Sequence, residues 1–595
     1  MANGVRRVLG FVLAAAVLCV QGVADAQDSR DWRDIANGLE VPSIGYADQP
    51  FVVTLNDGSW LCVLTTGPGE EGATGQHVVA TRSSDRGETW SDLVPIEQPS
   101  GERGFESSWA VPLHVADQGS ARFGRVYAFY VFNGEPITEV PNRGPDARLD
   151  TLGWYVYRFS DDGGATWSER TRIDIPITWT DKRSTFGGRA QMFWGTSEPV
   201  VLGERVLIAF SKIRMHVVND TEGWVLVCDN FFAEDDPAKH EWRLVANGNE
   251  GPEEEWRGLA SDELFGDVQS EHSPIAMSTP GHVYMVNRTD RGVISHSISR
   301  DFGETWSEPA VVTYADGRPI RHPRANAKVW AIGNGRYLLW HHNHGGTDFT
   351  DRNPAWLSGG IERDGTIVWG EPEIVLYYRD PATRISYPDL VMEDGRYWIF
   401  ETQKSVARLH EIPAELIEGM FDEFEEPVRT DDAVSDRGIA TDLSVGEGFS
   451  IELRFDESAM GSGDLLASDG STWSVRAIEG ERRLELAIGE GATEFVWQTD
   501  FISPTDDGEH AAVFVIDGDA DIVTVVANGR VQDGDGERQL GWGRLPAAIG
   551  VLGGGEDTGF AIAVVHGRAL TTAEAVGNTR AGVPWVETAQ PETAP

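Results

Sequence analysis

The sequence predicts an all-β protein, a propeller of repeated blades followed by a second β-domain. Three observations predict it. The pattern Ser-x-Asp-x-Gly-x-Thr-Trp is written three times, at 83–90, 160–167 and 299–306. Short apolar stretches rich in β-branched and aromatic residues recur: "FVVTLNDGSWLCVL", "RVYAFYVF", "ERVLIAFS", "HVYMVNR", "RYLLWHH" and "RYWIFET". Most follow a Gly or Asp turn, and long helical patterns are nearly absent.

Taken in order, the chain opens with Arg6 and Arg7, an apolar run from Val8 to Val20, and Ala24-Asp25-Ala26. This reads as a secretory signal peptide over 1–26, so a secreted or periplasmic protein is expected. No later segment is apolar enough to span a bilayer. Cys19 leaves with the signal. Cys62 and Cys228 lie in apolar runs and are read as buried thiols rather than a bridge. The formal net charge of −46 excludes nucleic acid and anionic membranes as partners. At 595 residues, two or more domains are expected.

Each repeat has a local physical meaning. Its Asp accepts hydrogen bonds from nearby backbone N–H groups, its Gly supplies a positive φ, and its Trp packs under the hairpin. "IERDGTIVWGEP" at 361–372 reads as a decayed copy. Repeats of this length, each of several strands, point to propeller blades, with a tandem array of sandwiches as the alternative. "PAELIEGMF" at 413–421 is a short helix with Pro at its first position, within a linker over 413–430. "FSIELRF", "HAAVFVIDGDADIVTVVANGRV" and "FAIAVVHGRALTTAEAVGN" then give a strand, a hairpin and a strand. The tail at 586–595 reads as disordered.

The repeats resemble the Asp-boxes of the sialidase (neuraminidase) superfamily, which implies a six-bladed propeller over about 41–412. The region 431–585 resembles laminin-G or concanavalin-like jelly rolls, either a carbohydrate-binding module or a structural appendage. "IDGDAD" and "DGDG" in it could hold calcium and read better as hairpin turns. No cofactor is expected.

The resemblance implies a Tyr nucleophile activated by Glu, three arginines around a substrate carboxylate, and an Asp acid/base. A neutral phenol approaches an anionic sugar without charge repulsion. "SEHSPIAMSTPGHVYMVNRTDRG" matches Glu271 and Arg288, "HNHGGTDFTDRNPAWLSGG" matches Arg352, and "RISYPDLVMEDGRYWIFET" matches Tyr387. These follow the family's order. Arg suits a carboxylate through its bidentate fork.

Two positions depart. Asp48-Gln49-Pro50 stands where the family has Arg-Ile-Pro, placing an anion beside the substrate carboxylate. No Asp occupies the acid/base site before the first box, where Glu70, Glu71 and His77 are the substitutes. Gln76-His77 opens a strand, so both are expected to face the substrate. His342 and His344 share one face of a strand. Without a carboxylate at ligand spacing they are assigned to substrate hydrogen bonding, not to metal. Arg189 and Trp194 complete the substrate-binding set, with a sugar ring stacked on Trp194. The expectation is a monomeric exo-glycosidase for an acidic oligo- or polysaccharide. The alternatives are a lyase or rhamnosidase-type enzyme at rhamnose–glucuronate linkages with His77 as base, and a non-catalytic glycan-binding protein.

Overall fold

The computed structural model describes residues 31–581 apart from 121, 144–146, 216–218, 246–250, 431–432, 437–442, 445–447, 462–463, 469–472, 489–494, 519, 535–547, 550–551 and 554–559. The leader at 1–26, the tail at 586–595 and part of "DGDG" therefore lie outside the described residues.

Before residue 413 the described strands form four four-stranded antiparallel sheets and one nine-stranded sheet, labelled below as blades I to VI with the nine-stranded sheet divided between II and III. Blade I is Tyr46–Thr54, Trp60–Gly67, His77–Ser83 and Val94–Pro95. Blade II is Ser107–His114, Val126–Phe132, Leu152–Ser160 and Thr171–Ile173. Blade III is Gln191–Trp194, Arg205–Met215, Asn219–Cys228 and Trp242–Val245. Blade IV is Ser270–Ala276, Val283–Arg288, Ile294–Ser299 and Ala310–Val311. Blade V is Lys328–Gly333, Arg336–His341, Ala355–Arg363 and Thr366–Leu376. Blade VI is Ser386–Glu393, Arg396–Thr402 and Ala407–Ile412, completed by Leu39–Val41 from the other end of the ring. Leu39 pairs with Leu409 and Val41 with Ala407, so the last blade is closed by the first strand. The first strand of blade I packs on those of blades II and VI, closing the ring. The protein is an all-β propeller.

This connectivity fixes what can meet. First strands all run the same way around the axis. Their starts, the ends of second strands and the loops from second to third strands therefore share one mouth. The turns from third to fourth strands lie at the opposite end.

The three boxes occupy those opposite turns, in blades I, II and IV. Their bonding is the same each time. Ser83 Oγ donates to Asp85 Oδ1 at 2.8 Å, and Gly87 N donates to Ser83 Oγ at 2.8 Å. Thr89 N and Oγ1 donate to the two Asp85 oxygens at 2.9 and 2.6 Å. Asp162 with Thr166, and Asp301 with Thr305, repeat this. Gly87, Gly164 and Gly303 have φ of 86°, 90° and 85°. A Cβ on each would meet a leucine of the preceding blade, Leu409, Leu61 and Leu207, at 2.4–2.5 Å. The box thus staples its own turn and wedges one blade against the next. The expected decayed copy at 361–372 is corrected. It holds the box position of blade V, but Asp364-Gly365 forms a tight turn between the paired strands Ala355–Arg363 and Thr366–Leu376, too short for the box bonds.

Cys62 and Cys228 are free, buried thiols. The segment after the propeller is packed rather than spanning. Helix Ala414–Gly419 has Pro413 at its cap, and Ile417, Met420 and Phe421 are buried in the core of blades V and VI. Beyond it, two sheets of six and five strands face each other across Ile451, Leu453, Phe514, Leu484, Leu486 and Trp497. Helix Thr572–Arg580, capped by a Thr571/Glu574 box, leans on blade V. "IDGDAD" links the strands Glu509–Asp517 and Ile522–Ala527, and Asp517 pairs with Arg33 at 2.6 Å. Among the described residues no group of three His, Cys, Asp or Glu could hold a metal ion, and no helix is long and apolar enough to cross a membrane.

Candidate active site

The shared mouth carries a backbone device. The first strands of blades I, II, IV and VI each break register near their start, at Asp48/Phe51, Ser108/Val111, Ser270/Ser273 and Ser386/Asp389. In each break one residue is left-handed: Gln49 (φ 55°), Trp109 (65°), Glu271 (56°) and Tyr387 (47°). None is glycine, so each break re-aims a side chain. A bulge does this at a cost of about 1–3 kcal/mol per strained residue.

Two of the four re-aimed side chains meet. Tyr387 Oη donates to Glu271 Oε1 at 2.8 Å. The same oxygen accepts Arg288 Nη1 at 2.5 Å and Trp194 Nε1 at 3.1 Å. Glu271, Arg288 and Tyr387 are 0, 1 and 2 % exposed, so little water screens the group. Arg288 is held from behind by Ser270 Oγ at 3.1 Å, while its Nη2 and Glu271 Oε2 have no hydrogen-bond partner. Burial, then the Glu271 charge, push the Tyr387 phenol well above its usual pKa. The tyrosine is therefore a neutral donor with a carboxylate in place to take its proton.

Arg352, from the loop between the second and third strands of blade V, joins this centre. Its Nη1 donates to Ser386 Oγ at 2.9 Å and its Nη2 to Arg324 O at 2.7 Å, leaving Nε without a partner. Burial lowers the Arg352 pKa. Tyr387 and Glu271 oppose that, and the Arg288 and Arg384 guanidiniums add to it. Arg324, just before the first strand of blade V, is pushed down to about 10 by burial and then by Arg288, with Arg352 also contributing. Arg288, Arg324 and Arg352 are thus three guanidiniums in one field. Sequence reading missed Arg324, because nothing in "RHPRANAK" marks it.

Asp48 is not a bare anion facing the clamp. Its Oδ2 accepts Tyr46 Oη and Lys404 Nζ, both at 2.7 Å. Lys404 Nζ also donates to Glu71 Oε1 at 3.0 Å and lies 4.2 Å from the Tyr387 ring centroid. A lysine therefore restores positive charge near the place where the Arg-Ile-Pro arginine is missing. Lys404, in the turn after the second strand of blade VI, is a second residue that sequence reading missed.

The remaining expected residues fall elsewhere. Glu71 bridges Lys404 and Arg148, the latter at 3.1 Å, and against burial these cations hold its carboxyl below the usual carboxylate range, which favours its ionised form. Gln76 uses its amide inside its own loop, accepting Gly72 N and donating to Pro68 O and Glu70 O, so it shapes the 67–76 loop instead of facing substrate. His77 Nδ1 lies 3.0 Å from Gly75 O, and burial lowers its pKa. Trp194 is not an open platform. It is 2 % exposed, stacks on Trp109 at 4.2 Å and floors the centre beneath Glu271. The shared face of His342 and His344 does not form. The strand ends at His341, and Asn343 turns left-handed at φ 45°, which breaks the alternation. His342 is buried against His322, and His344 Nδ1 accepts Gly346 N. Arg189 is exposed and donates to Phe186 O in its own turn. Cavities of about 690 and 630 Å³ lie at the domain junction and on the rim of blades VI and I, away from this mouth.

Fold and centre together define a class: an Asp-box propeller with a tyrosine–glutamate–arginine cluster at the mouth opposite its boxes. The family profile described as BNR repeat-like domain matches residues 102–399, half of the chain, and the chain belongs to that family. Among solved structures, Trypanosoma rangeli sialidase is 11% identical with a TM-score of 0.43, covering 90% of this chain and 93% of that one. The Streptococcus pneumoniae NanB sialidase is 12% identical with a TM-score of 0.42, covering 63% and 70%. The leech intramolecular trans-sialidase is 13% identical with a TM-score of 0.43, covering 63% and 69%. No curated protein matches the chain by sequence.

Proposed function

We propose that this protein is an exported glycoside hydrolase that releases a terminal acidic sugar. The observation that carries the reading is the buried Tyr387–Glu271 hydrogen bond with Arg288 on the same carboxylate oxygen. Tyr387 attacks the anomeric carbon as Glu271 takes its proton. Arg288, Arg324 and Arg352 hold the sugar carboxylate, because fixed guanidiniums in a dry site overcome the repulsion of an exterior carrying −46. Export rests on the basic, apolar and small-residue pattern of residues 1–26.

The hydrolase reading is preferred to the lyase one because Tyr387 and Glu271 are joined by a hydrogen bond, whereas the bond given for His77 ties its Nδ1 to Gly75 O in its own loop. Product analysis on a panel of acidic glycans, including sialosides and rhamnose–glucuronate polymers, tests the proposal. A released acidic monosaccharide without new ultraviolet absorbance is expected. An unsaturated, absorbing product would replace hydrolysis by elimination, and binding without any product would leave a lectin.

A further inference from the structure

Cleavage of a glycosidic bond needs a proton for the departing oxygen, and the residues offered by sequence do not supply one. Glu70 is exposed in its loop. Glu71 is held ionised between Lys404 and Arg148. His77 bonds Gly75 O through Nδ1, and burial lowers its pKa, which disfavours the protonated ring.

Charge bookkeeping around Lys404 points elsewhere. Arg148 pairs with Glu71 and, at 2.7 Å, with Asp150. Lys404 pairs with Glu71 and Asp48. These two cations directly contact three buried or half-buried carboxyls, and Arg352 adds its field at Glu71. The least compensated of the three is the one that a dry site favours to hold a proton. Glu71 has two cationic partners, and Arg148 holds both oxygens of Asp150, at 3.1 and 2.7 Å, whereas Asp48 is held through one oxygen alone, so Asp48 is the odd one. It is fully buried, its Oδ2 is satisfied by Tyr46 and Lys404, and its Oδ1 has no hydrogen-bond partner. The groups facing it are Tyr46 on its own strand, Glu71 on the 67–76 loop, and Lys404 and Tyr387 from blade VI.

We propose that Asp48, standing where the family pattern places an arginine, is the acid/base residue of this site, with Lys404 as its positioning residue. The assignment rests on the hydrolase reading above. As the glycosidic C–O bond breaks, its electron pair stays on the departing oxygen, which takes the Asp48 proton. Tyr387 bonds to the anomeric carbon and its proton passes to Glu271. In the second step Asp48 takes a proton from the attacking water, and the tyrosinate leaves and recovers its proton from Glu271. Burial raises the Asp48 carboxyl against the opposing charge of Lys404, the direction that an acid/base residue needs.

The test compares Asp48→Asn with wild type in the full chain, using N-acetylneuraminic acid linked to lactose and to 4-nitrophenol. Loss of a general acid costs about 10²- to 10⁴-fold where the leaving group needs a proton. The expected result is a loss of that size on the lactoside, a loss under about tenfold on the nitrophenyl glycoside, and disappearance of the alkaline limb of the pH profile. Equal losses on both forms, or an intact alkaline limb, overturn the assignment. Tyr387→Phe silences both forms, so a misplaced acid and a mistaken reaction class give different patterns. If wild type cleaves neither form, sialoside hydrolysis falls. The proton on Asp48 is then read by infrared difference spectroscopy at pH 5, where a protonated carboxyl band present in wild type and missing in Asp48→Asn supports the assignment. Identical spectra overturn it.

Discussion

Tyr387 and Glu271 come from different blades, VI and IV, yet join through a 2.8 Å hydrogen bond, each delivered by a left-handed residue in a bulge at the start of a first strand. A single left-handed residue in each bulge turns two side chains that alternation would assign to a sheet face toward one another across the axis.

Tyr387→Phe removes only the hydroxyl from this pair. Turnover on any glycan the wild type cleaves is expected to vanish, with the far-ultraviolet circular dichroism spectrum unchanged. Retained turnover would show that the phenol is not the nucleophile.

Glu271→Ala acts on stability as well. It leaves Arg288, 1 % exposed, without its countercharge. Breaking a buried pair costs about 3–5 kcal/mol. Adding Arg288→Leu is expected to return part of that loss in chemical denaturation, because no lone buried charge remains.

The arginines are expected to act on substrate affinity. Arg324→Gln and Arg352→Gln each remove a charged donor, worth about 1.5–3 kcal/mol, or roughly 10- to 150-fold in kcat/KM. The losses should shrink for the methyl ester of the same sugar, whose carboxyl carries no charge. Losses that stay equal for acid and ester would remove Arg324 from the clamp.

The boxes set blade-to-blade stability. Gly164→Ala places a Cβ 2.5 Å from Leu61 at φ 90°. Backbone strain with overpacking predicts a loss of about 2–3 kcal/mol in urea unfolding, without direct effect on the opposite mouth. Gly164→Ala with Leu61→Ala should relieve the steric part.

The domain junction predicts a pH dependence. Glu371 accepts Val531 N and Glu373 accepts Ala573 N, while Arg580 donates to Glu423 O. Burial raises these carboxyls to about 7, 7 and 8, with Arg318 opposing at Glu371, Arg580 opposing at Glu423, and the Glu371 charge adding at Glu423. Carboxyls raised in the folded state bind protons more tightly there than when unfolded. Their contribution is full below the unfolded value, about 4.3 for Glu, and is lost as pH rises through 7 to 8. The melting temperature should fall over that range. Glu423→Gln should flatten the fall, which separates the junction from general repulsion in a strongly acidic chain. An identical slope in the variant would assign the effect elsewhere.

Local chemistry was legible in the sequence. The box bonds join residues two or four apart, Ser83 to Asp85 and Asp85 to Thr89, so eight letters suffice to specify each turn. Alternating apolar strands gave the all-β class, and the order Glu271, Arg288, Arg352, Tyr387 gave the candidate centre. The tertiary structure alone decided the rest. Lys404 meets Asp48 across 356 residues, and Arg324 meets Arg288 and Arg352 only because blades IV and V pack side by side. A left-handed Glu or Tyr bears no mark in the sequence as a turn glycine does. A long-range ion pair likewise leaves no local pattern, since its energy depends on a distance that only the closed propeller sets.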